Sequence, residues 1–326
     1  MITTPNTFVA TTNMLLAIGA RPVFADIRLD TYNLDETKIE KLITTRTRAM
    51  VPVHFAGQPC ALKEITKIAK KHKLLVIEDA CHALGASYRK RPIGGISDMT
   101  VFSFHPIKSI TTGEGGAILT NKENFYKRLV SLRSHGVEKD NHGFNVMFKL
   151  GFNYRMTDIQ AALGTSQLSK LDRFVKSRKR IAKQYHQNLK NLKEVVLPIE
   201  DRQSLSSWHI YVIRTKSAAD RKPLAEHLKS LGINTNFHYP AVYTHPFYQK
   251  KGYVGTNLTN TDNHHKTCLT LPCYYNLSSK NVDFICRSIK NFFDPIRSLA
   301  RVARSKGPLG RVTSNNGVVK KHEDTK

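Results

Sequence analysis

The sequence predicts an α/β fold in which a mostly parallel sheet covered by helices precedes a smaller C-terminal α/β domain. Three observations carry this reading. Residues 1–135 alternate short apolar runs with stretches of helical periodicity, the pattern of repeated strand–helix–strand units. Polar clusters stand just after Ile77 and just after Phe104, where open α/β sheets bind ligands beyond the carboxyl ends of their strands. After a long helical stretch the alternation resumes over a shorter segment. The expected organisation is a large domain over 1–165, a small domain over 166–295 and a basic tail over 296–326 that lacks periodicity and is expected to be disordered.

Element by element, Thr7 to Ile18 reads as a helix, Pro22 to Ile27 as a strand, Asp35 to Ile43 as a helix and Ala49 to Phe55 as a strand. Leu62 to His72 sets Leu62, Ile65, Ile68 and Ala69 on one helical face, and the apolar run Leu74 to Ile77 then ends in Glu78-Asp79. Thr100 to Phe104 and Gly116 to Thr120 read as strands, with a helix over Lys122 to Leu132. Thr157 to Leu189 reads as one long helix bridging to the second unit. That unit is predicted to hold a strand over His209 to Arg214, a helix over Pro223 to Leu231, a strand over Ile233 to Phe237 and a last helix over Ser279 to Phe293.

The chain has 326 residues, 40% of them hydrophobic and 23% charged, which suffices for one large or two smaller cores and excludes a collagen or a wholly disordered chain. No apolar run approaches the roughly 20 residues that cross a bilayer. Met1-Ile2-Thr3-Thr4-Pro5 lacks the basic and apolar regions of an export signal, so the expected location is cytoplasmic. Five cysteines, odd in number and scattered without C-x2-C spacing, read as reduced packing thiols. The net charge of +26 would attract nucleic acid, acidic surfaces or phosphorylated small molecules. The tail from 296 holds eight Lys/Arg against two acids, so about +20 of that charge belongs to the body. No zinc-finger spacing, ribonucleoprotein aromatic motif or Gly-x-x-Gly clamp accompanies it, so nucleic acid is not the expected partner.

Chemistry concentrates between Val76 and Gly136. An acid stands at a strand end (Asp79), a histidine three residues later (His82), and a serine (Ser103) five residues before a lysine (Lys108). A lysine that follows a strand into an apolar setting loses its proton more easily, and a free amine is what a Schiff base requires. Pyridoxal phosphate chemistry needs that lysine, together with an acid opposite the pyridine nitrogen, for which Asp79 is the candidate. Ser103 could supply part of a phosphate site, and His82 could contact the phenolic oxygen of the ring. Each residue taken singly also fits a plainer role: a solvated lysine, a turn-capping acid pair at Glu78-Asp79, or turn glycines at Gly113, Gly115 and Gly116.

Joined together, the strings E-D-A-C-H-A-L-G-A-S-Y, F-S-F-H-P-I-K-S-I-T-T-G-E-G-G and R-S-H-G closely resemble the DegT/DnrJ/EryC1/StrS family of nucleotide-sugar aminotransferases, which are fold type I pyridoxal-phosphate enzymes. The resemblance covers about residues 2 to 290. It implies that Lys108 joins the cofactor as a Schiff base, Asp79 pairs with the pyridine nitrogen, His82 lies by the ring oxygen and Ser103 bonds the phosphate. The string G-F-N-Y-R-M is similar to the segment whose asparagine, here Asn153, reaches the phosphate in the neighbouring subunit, implying a homodimer with shared active sites. The opening T-T-P-N-T-F-V-A-T-T-N is similar to the segment whose aromatic residue stacks on the cofactor, here Phe8, for which core packing is an equal alternative. Arg133, His135, Arg155 and His238 could bind the sugar nucleotide or the donor carboxylate, or serve in structural ion pairs, and His105 could line the substrate side or pack beside its loop.

The strings I-T-T-P-N-T-F-V-A-T-T-N-M-L-L and T-L-P-C-Y-Y-N-L resemble the branch that aminates UDP-linked 4-keto-6-deoxysugars in pseudaminic acid synthesis. The expected reaction moves nitrogen, with glutamate as donor, to the 4-keto carbon of the sugar. Lys108 stands where a related dehydrating branch has histidine, which favours amino transfer. The resemblance also implies a small-residue helix start, holding the phosphate, ahead of the segment matching Thr3 to Thr12. The sequence begins after that point, so N-terminal truncation and weakened phosphate binding are expected. The competing expectation is a catalytically silent remnant that assembles with a full-length paralogue.

Overall fold

A computed structural model of the chain describes residues 1–253 and 258–294. The expected disordered tail lies outside the described residues.

Six strands form the central sheet: β1 (Ile2–Thr3), β2 (Val23–Phe24), β3 (Ala49–Val51), β4 (Leu75–Asp79), β5 (Met99–Ser103) and β6 (Gly116–Leu119). Their order is β2-β1-β3-β4-β5-β6, parallel throughout except for the antiparallel edge strand β6. Parallel strands need crossovers, and the chain supplies them as α1 (Ala10–Ala17) and α2 (Leu62–Lys71). α2 forms because Leu62, Ile65 and Ala69 recur on one face and enter the core, while Lys70 and Lys71 stand in the last turn, where the helix dipole favours cations. In β4, Val76 and Glu78 are buried and Ile77 and Asp79 are half-buried, as expected of a strand covered on both faces. Gly116 starts β6 where a Cβ would lie 2.6 Å from the Phe102 carbonyl oxygen, so the close approach of β5 and β6 requires glycine.

Past α3 (Glu123–Arg133) the expected single helix over 157–189 is two: α4 (Asp158–Leu168) and α5 (Leu171–Leu189). The Lys170 N–H bonds the Gln167 carbonyl, three residues back, and this tightened turn ends α4. The helices then serve different surfaces. α4 buries none of its residues, whereas α5 buries Ile181, Ala182, Tyr185 and Leu189 in a second core. That core also contains strands β7 (Val195–Val196), β8 (Tyr211–Thr215) and β9 (Cys268–Leu271), paired antiparallel in the order β7-β8-β9, and helices α6 (Ala218–Ser230) and α9 (Ser279–Phe293). Helices α7 (Pro246–Lys250) and α8 (Thr259–Thr267) lie between α6 and β9 in the chain.

Other expectations are corrected. The helix expected over 7–18 begins only at Ala10, leaving Phe8 in the loop after β1. The helix expected over 35–43 is two 3-10 turns, the first capped by Asp35, whose carboxylate accepts the Thr37 N–H at 3.0 Å. The segment 233–237 is no strand, because Cys268–Leu271 takes the place beside β8 and leaves it a single bridge, Asn236 to Thr270. Among the described residues no helix is long and apolar enough to cross a membrane.

Side chains tie the first part of the chain to the last. The Asp26 carboxylate accepts the backbone N–H groups of Asn260 and Thr261 at 3.0 and 2.9 Å, and Arg214 lies over the Tyr32 ring.

Candidate active site

The end of β4 fixes the first acid. Glu78 points into the core, where its carboxylate takes a hydrogen bond from His54 Nε2 at 2.7 Å and others from the Ser97 N–H and the Thr100 hydroxyl. Burial alone would raise its pKa, but these donors together outweigh it and hold the group below the usual carboxylate range. Alternation along the strand turns Asp79 to the other side, toward the cleft. There Asp79 Oδ2 accepts the Thr11 hydroxyl at 2.6 Å and Oδ1 accepts the Cys81 N–H at 3.1 Å. Thr7 lies 2.8 Å from Thr11, so a Thr7–Thr11–Asp79 chain of hydrogen bonds sets the direction of the carboxylate.

Lys108 sits in the loop after β5. That loop is closed on itself: the Phe104 carbonyl accepts the N–H of Thr112 at 3.0 Å and the hydroxyl of Thr111 at 3.0 Å, and the Phe104 N–H bonds the Gly115 carbonyl. Lys108 is half-buried, and among the described residues nothing bonds its Nζ. Burial lowers its pKa from the usual lysine range, and the nearby Cys81 and Asp79 offset only part of this. Ser103 ends β5 with its Oγ accepting the His105 N–H at 3.3 Å.

His82 follows β4 and is buried. Its Nδ1 accepts the Ala56 N–H at 3.3 Å, and its Nε2 lies 3.1 Å from Tyr239 Oη. Its ring packs 4.5 Å from that of His209, which is buried and whose Nδ1 has no partner among the described residues. Burial comes first among the causes that lower the pKa of His82 and of His209, and the positive charge of Lys108 adds to it in both. His238 is lowered to about 4, by burial and then by Lys108. Phe8 is exposed, its ring 6.3 Å from that of Tyr239.

Asp79, His82 and Lys108 thus lie near enough for the charge of Lys108 to feel Asp79 and to act on His82, and Phe8 reaches the group through Tyr239, whereas Ser103 contacts only the lysine loop. Asn153 stands apart. With Arg133 and Arg155 it lines a largely apolar cavity of about 1070 Å³ beside β6 and α3, whose walls include none of Lys108, Asp79 or His82. His135 joins this side through the bond of its N–H to the Phe152 carbonyl, and His105 lies 3.8 Å from Glu114 on the exposed face of the lysine loop. Sequence reasoning passed over Thr11, Tyr239 and His209. Thr11 lay within a quoted string, yet no local signal links it to an acid 68 residues away.

Residues 1–290 match the DegT/DnrJ/EryC1/StrS aminotransferase family. The chain belongs to that family. It is 37% identical over 300 residues to the UDP-4-amino-4,6-dideoxy-N-acetyl-beta-L-altrosamine transaminase of Helicobacter pylori, a match covering 91% of this chain and 79% of that one. The solved structure of Helicobacter pylori PseC, an aminotransferase involved in the biosynthesis of pseudoaminic acid, superposes with a TM-score of 0.85 at 37% identity over 90% of this chain and 79% of that one. A Streptococcus pneumoniae protein assigned as a sugar aminotransferase, in its PLP form, superposes with a TM-score of 0.84 at 28% identity over 89% of this chain and 79% of that one. As a member of the family the chain is an aminotransferase dependent on pyridoxal phosphate, built on the α/β fold of such enzymes.

Proposed function

We propose that this chain transfers an amino group, with glutamate as donor, to the 4-keto carbon of a UDP-linked deoxysugar. The observation that carries the reading is the Lys108 ammonium, half-buried at a strand-end loop, lowered in pKa and bonded to nothing among the described residues. An aldehyde-bearing cofactor fits such an amine, and its pyridine nitrogen fits a carboxylate already oriented from two sides, Asp79. In this reading Lys108 joins the cofactor, Asp79 holds the ring nitrogen protonated, His82 lies on the side of the ring oxygen, Ser103 donates to the phosphate and Phe8 covers one face of the ring. When bound, pyridoxal phosphate supplies the electron sink that lets the donor's Cα–H bond break. Lys108, released from the cofactor, is the base that takes that proton and the acid that returns it.

A second subunit completes the site in this proposal. Phe144, Met147, Phe148, Leu150, Tyr154 and Ile159 are all exposed along one stretch of chain, far more apolar surface than a monomer ordinarily leaves to water. Covering it with a second copy would offer Asn153, which lines a cavity that does not include its own Lys108, to the Lys108 of the second copy. Arg133 and Arg155, beside it, suit the diphosphate of a nucleotide sugar. All five cysteines are free, which supports a reducing, cytoplasmic setting.

Titrating the protein with pyridoxal phosphate tests the assignment. A near-visible band should form, vanish in Lys108→Ala, shift to the pyridoxamine form on adding glutamate and return on adding the UDP-linked keto sugar. Borohydride reduction followed by peptide mapping should place the cofactor on Lys108. A band that persists in Lys108→Ala, or an adduct on another lysine, overturns it. A band that forms but ignores glutamate discards the donor alone.

A further inference from the structure

The outer surface of the second core is charged in a way its own fold does not use. α5 buries Arg178, Ile181, Ala182, Tyr185 and Leu189 along one side, and helical spacing puts Lys176, Lys179, Arg180, Lys183 and Lys190 on the other. Of these, Lys179 is half-buried and the rest are exposed. Asp172, in the first turn, is the one acid of the helix. Lys176 and Arg180, like Lys179 and Lys183, stand four residues apart, the spacing at which like charges destabilise a helix. Among the described residues no ion pair relieves them.

α9 widens this face. It runs in the same direction as α5, because Arg180 bonds the Leu277 carbonyl and the Ser279 hydroxyl at its start, whereas Asn188, two turns further along α5, bonds Asp283. α9 sends Val282, Ile285, Cys286 and Ile289 into the core and leaves Lys280, Phe284 and Arg287, at i, i+4 and i+7, to solvent. Phe284 is 42% exposed, an apolar ring set between two cations. Asp283 is the one acid of α9, and Gln184 and Asn188 both donate to it. The sequence that follows α9 adds eight Lys/Arg against two acids from residue 296 onward.

A broad, lysine-rich face fits a diffuse anionic surface better than it fits a nucleic acid. A duplex groove admits one helix or a two-stranded ribbon, whereas the cations here span two helices side by side. Single strands are held on aromatic platforms, and the α5 stripe carries no aromatic residue. Lysines act as point charges, which suits many headgroups at once, and an aromatic ring among cations suits the boundary between headgroups and acyl chains. We infer that the outer face of α5 and α9 docks the protein on an anionic lipid bilayer. The face includes none of the residues assigned to the cofactor, so the inference stands independently of the proposed function.

Sedimentation of the full chain with lipid vesicles tests this. Phosphatidylcholine vesicles with about one-third phosphatidylserine should carry the protein down, pure phosphatidylcholine vesicles should not, and binding should fade as salt rises from about 0.1 to about 1 M. A lysine or arginine near such a surface strengthens binding about fivefold, so Lys176→Glu, Lys179→Glu, Lys183→Glu and Lys190→Glu together should weaken it at least about tenfold. Helix content, read by circular dichroism, should stay unchanged. If that variant fails to fold, Lys176→Gln with Lys183→Gln should still weaken binding roughly tenfold. Absence of binding to the anionic vesicles, binding that survives the substitutions, or equal binding to the neutral vesicles overturns the inference. So does tighter binding to single-stranded polyuridylate than to the vesicles, lost in the same variant, which would assign the face to nucleic acid.

Discussion

Asp79 is held by two donors, and the two differ in kind. The Cys81 N–H belongs to the turn that follows β4 and cannot be mutated away, whereas the Thr11 hydroxyl can. Thr11→Val preserves shape and removes one charge-assisted hydrogen bond, so it should weaken cofactor affinity roughly tenfold while leaving the fold intact, read by absorbance titration. Asp79→Asn keeps the shape but removes the charge that would hold the ring nitrogen protonated, so kcat should fall by about a hundredfold or more, a loss read in single-turnover amino transfer from glutamate. The imidazoles act through pH. The pKa values of His82 and His209 lie well below the ordinary histidine value, that of His238 is about 4 and that of His264 about 3, each with burial as the first cause. Because the folded values are depressed, the unfolded chain binds more protons below the ordinary value of 6.5, and stability present above it is lost as pH falls toward 4 and then 3. Urea midpoints should therefore drop between pH 6.5 and 4, with a shallower slope in His238→Gln.

At the scale of elements, β4 binds the site to the core. Glu78 and His54 are fully buried and joined at 2.7 Å on one face, and Asp79 faces the cleft on the other. Removing His54 leaves a buried carboxylate short of a donor, so His54→Ala should cost about 3–5 kcal/mol in urea unfolding. Such elements were legible in the sequence where one local pattern decided them. The apolar run ending at Glu78-Asp79, the helical face of Leu62, Ile65 and Ala69, and the last helix over 279–293 all stand where periodicity put them. The break at Lys170 was not legible, because an apolar stripe runs through it and only the differing surfaces of α4 and α5 separate them. Nor was β9, whose place beside β8 depends on pairing with a strand more than fifty residues earlier. Of the candidate site, spacing and resemblance singled out Asp79, His82 and Lys108, which the fold brings near one another. Tyr239 was not, since 157 residues separate it from His82 and only the folded chain brings the two together.

The whole molecule shows surface that its own fold does not use. Ile159 on α4 is 85% exposed and Leu150 is 78% exposed. If this face is covered by a second copy, Ile159→Asp should yield a monomer in sedimentation with unchanged helix content. It should also lose amino transfer, because Asn153 would no longer be delivered to the neighbouring cleft. A dimer that survives the substitution would place the interface elsewhere.

Asp79, His82 and Lys108 are carried by the sheet unit, whereas Tyr239 and His209 come from the chain beyond α5. The candidate site therefore draws on both halves of the chain, and neither half alone carries the whole set. The Asp26 carboxylate, which holds the backbone of Asn260 and Thr261, fastens those halves to each other, so Asp26→Ala should slacken their mutual anchoring without altering any residue of the candidate site.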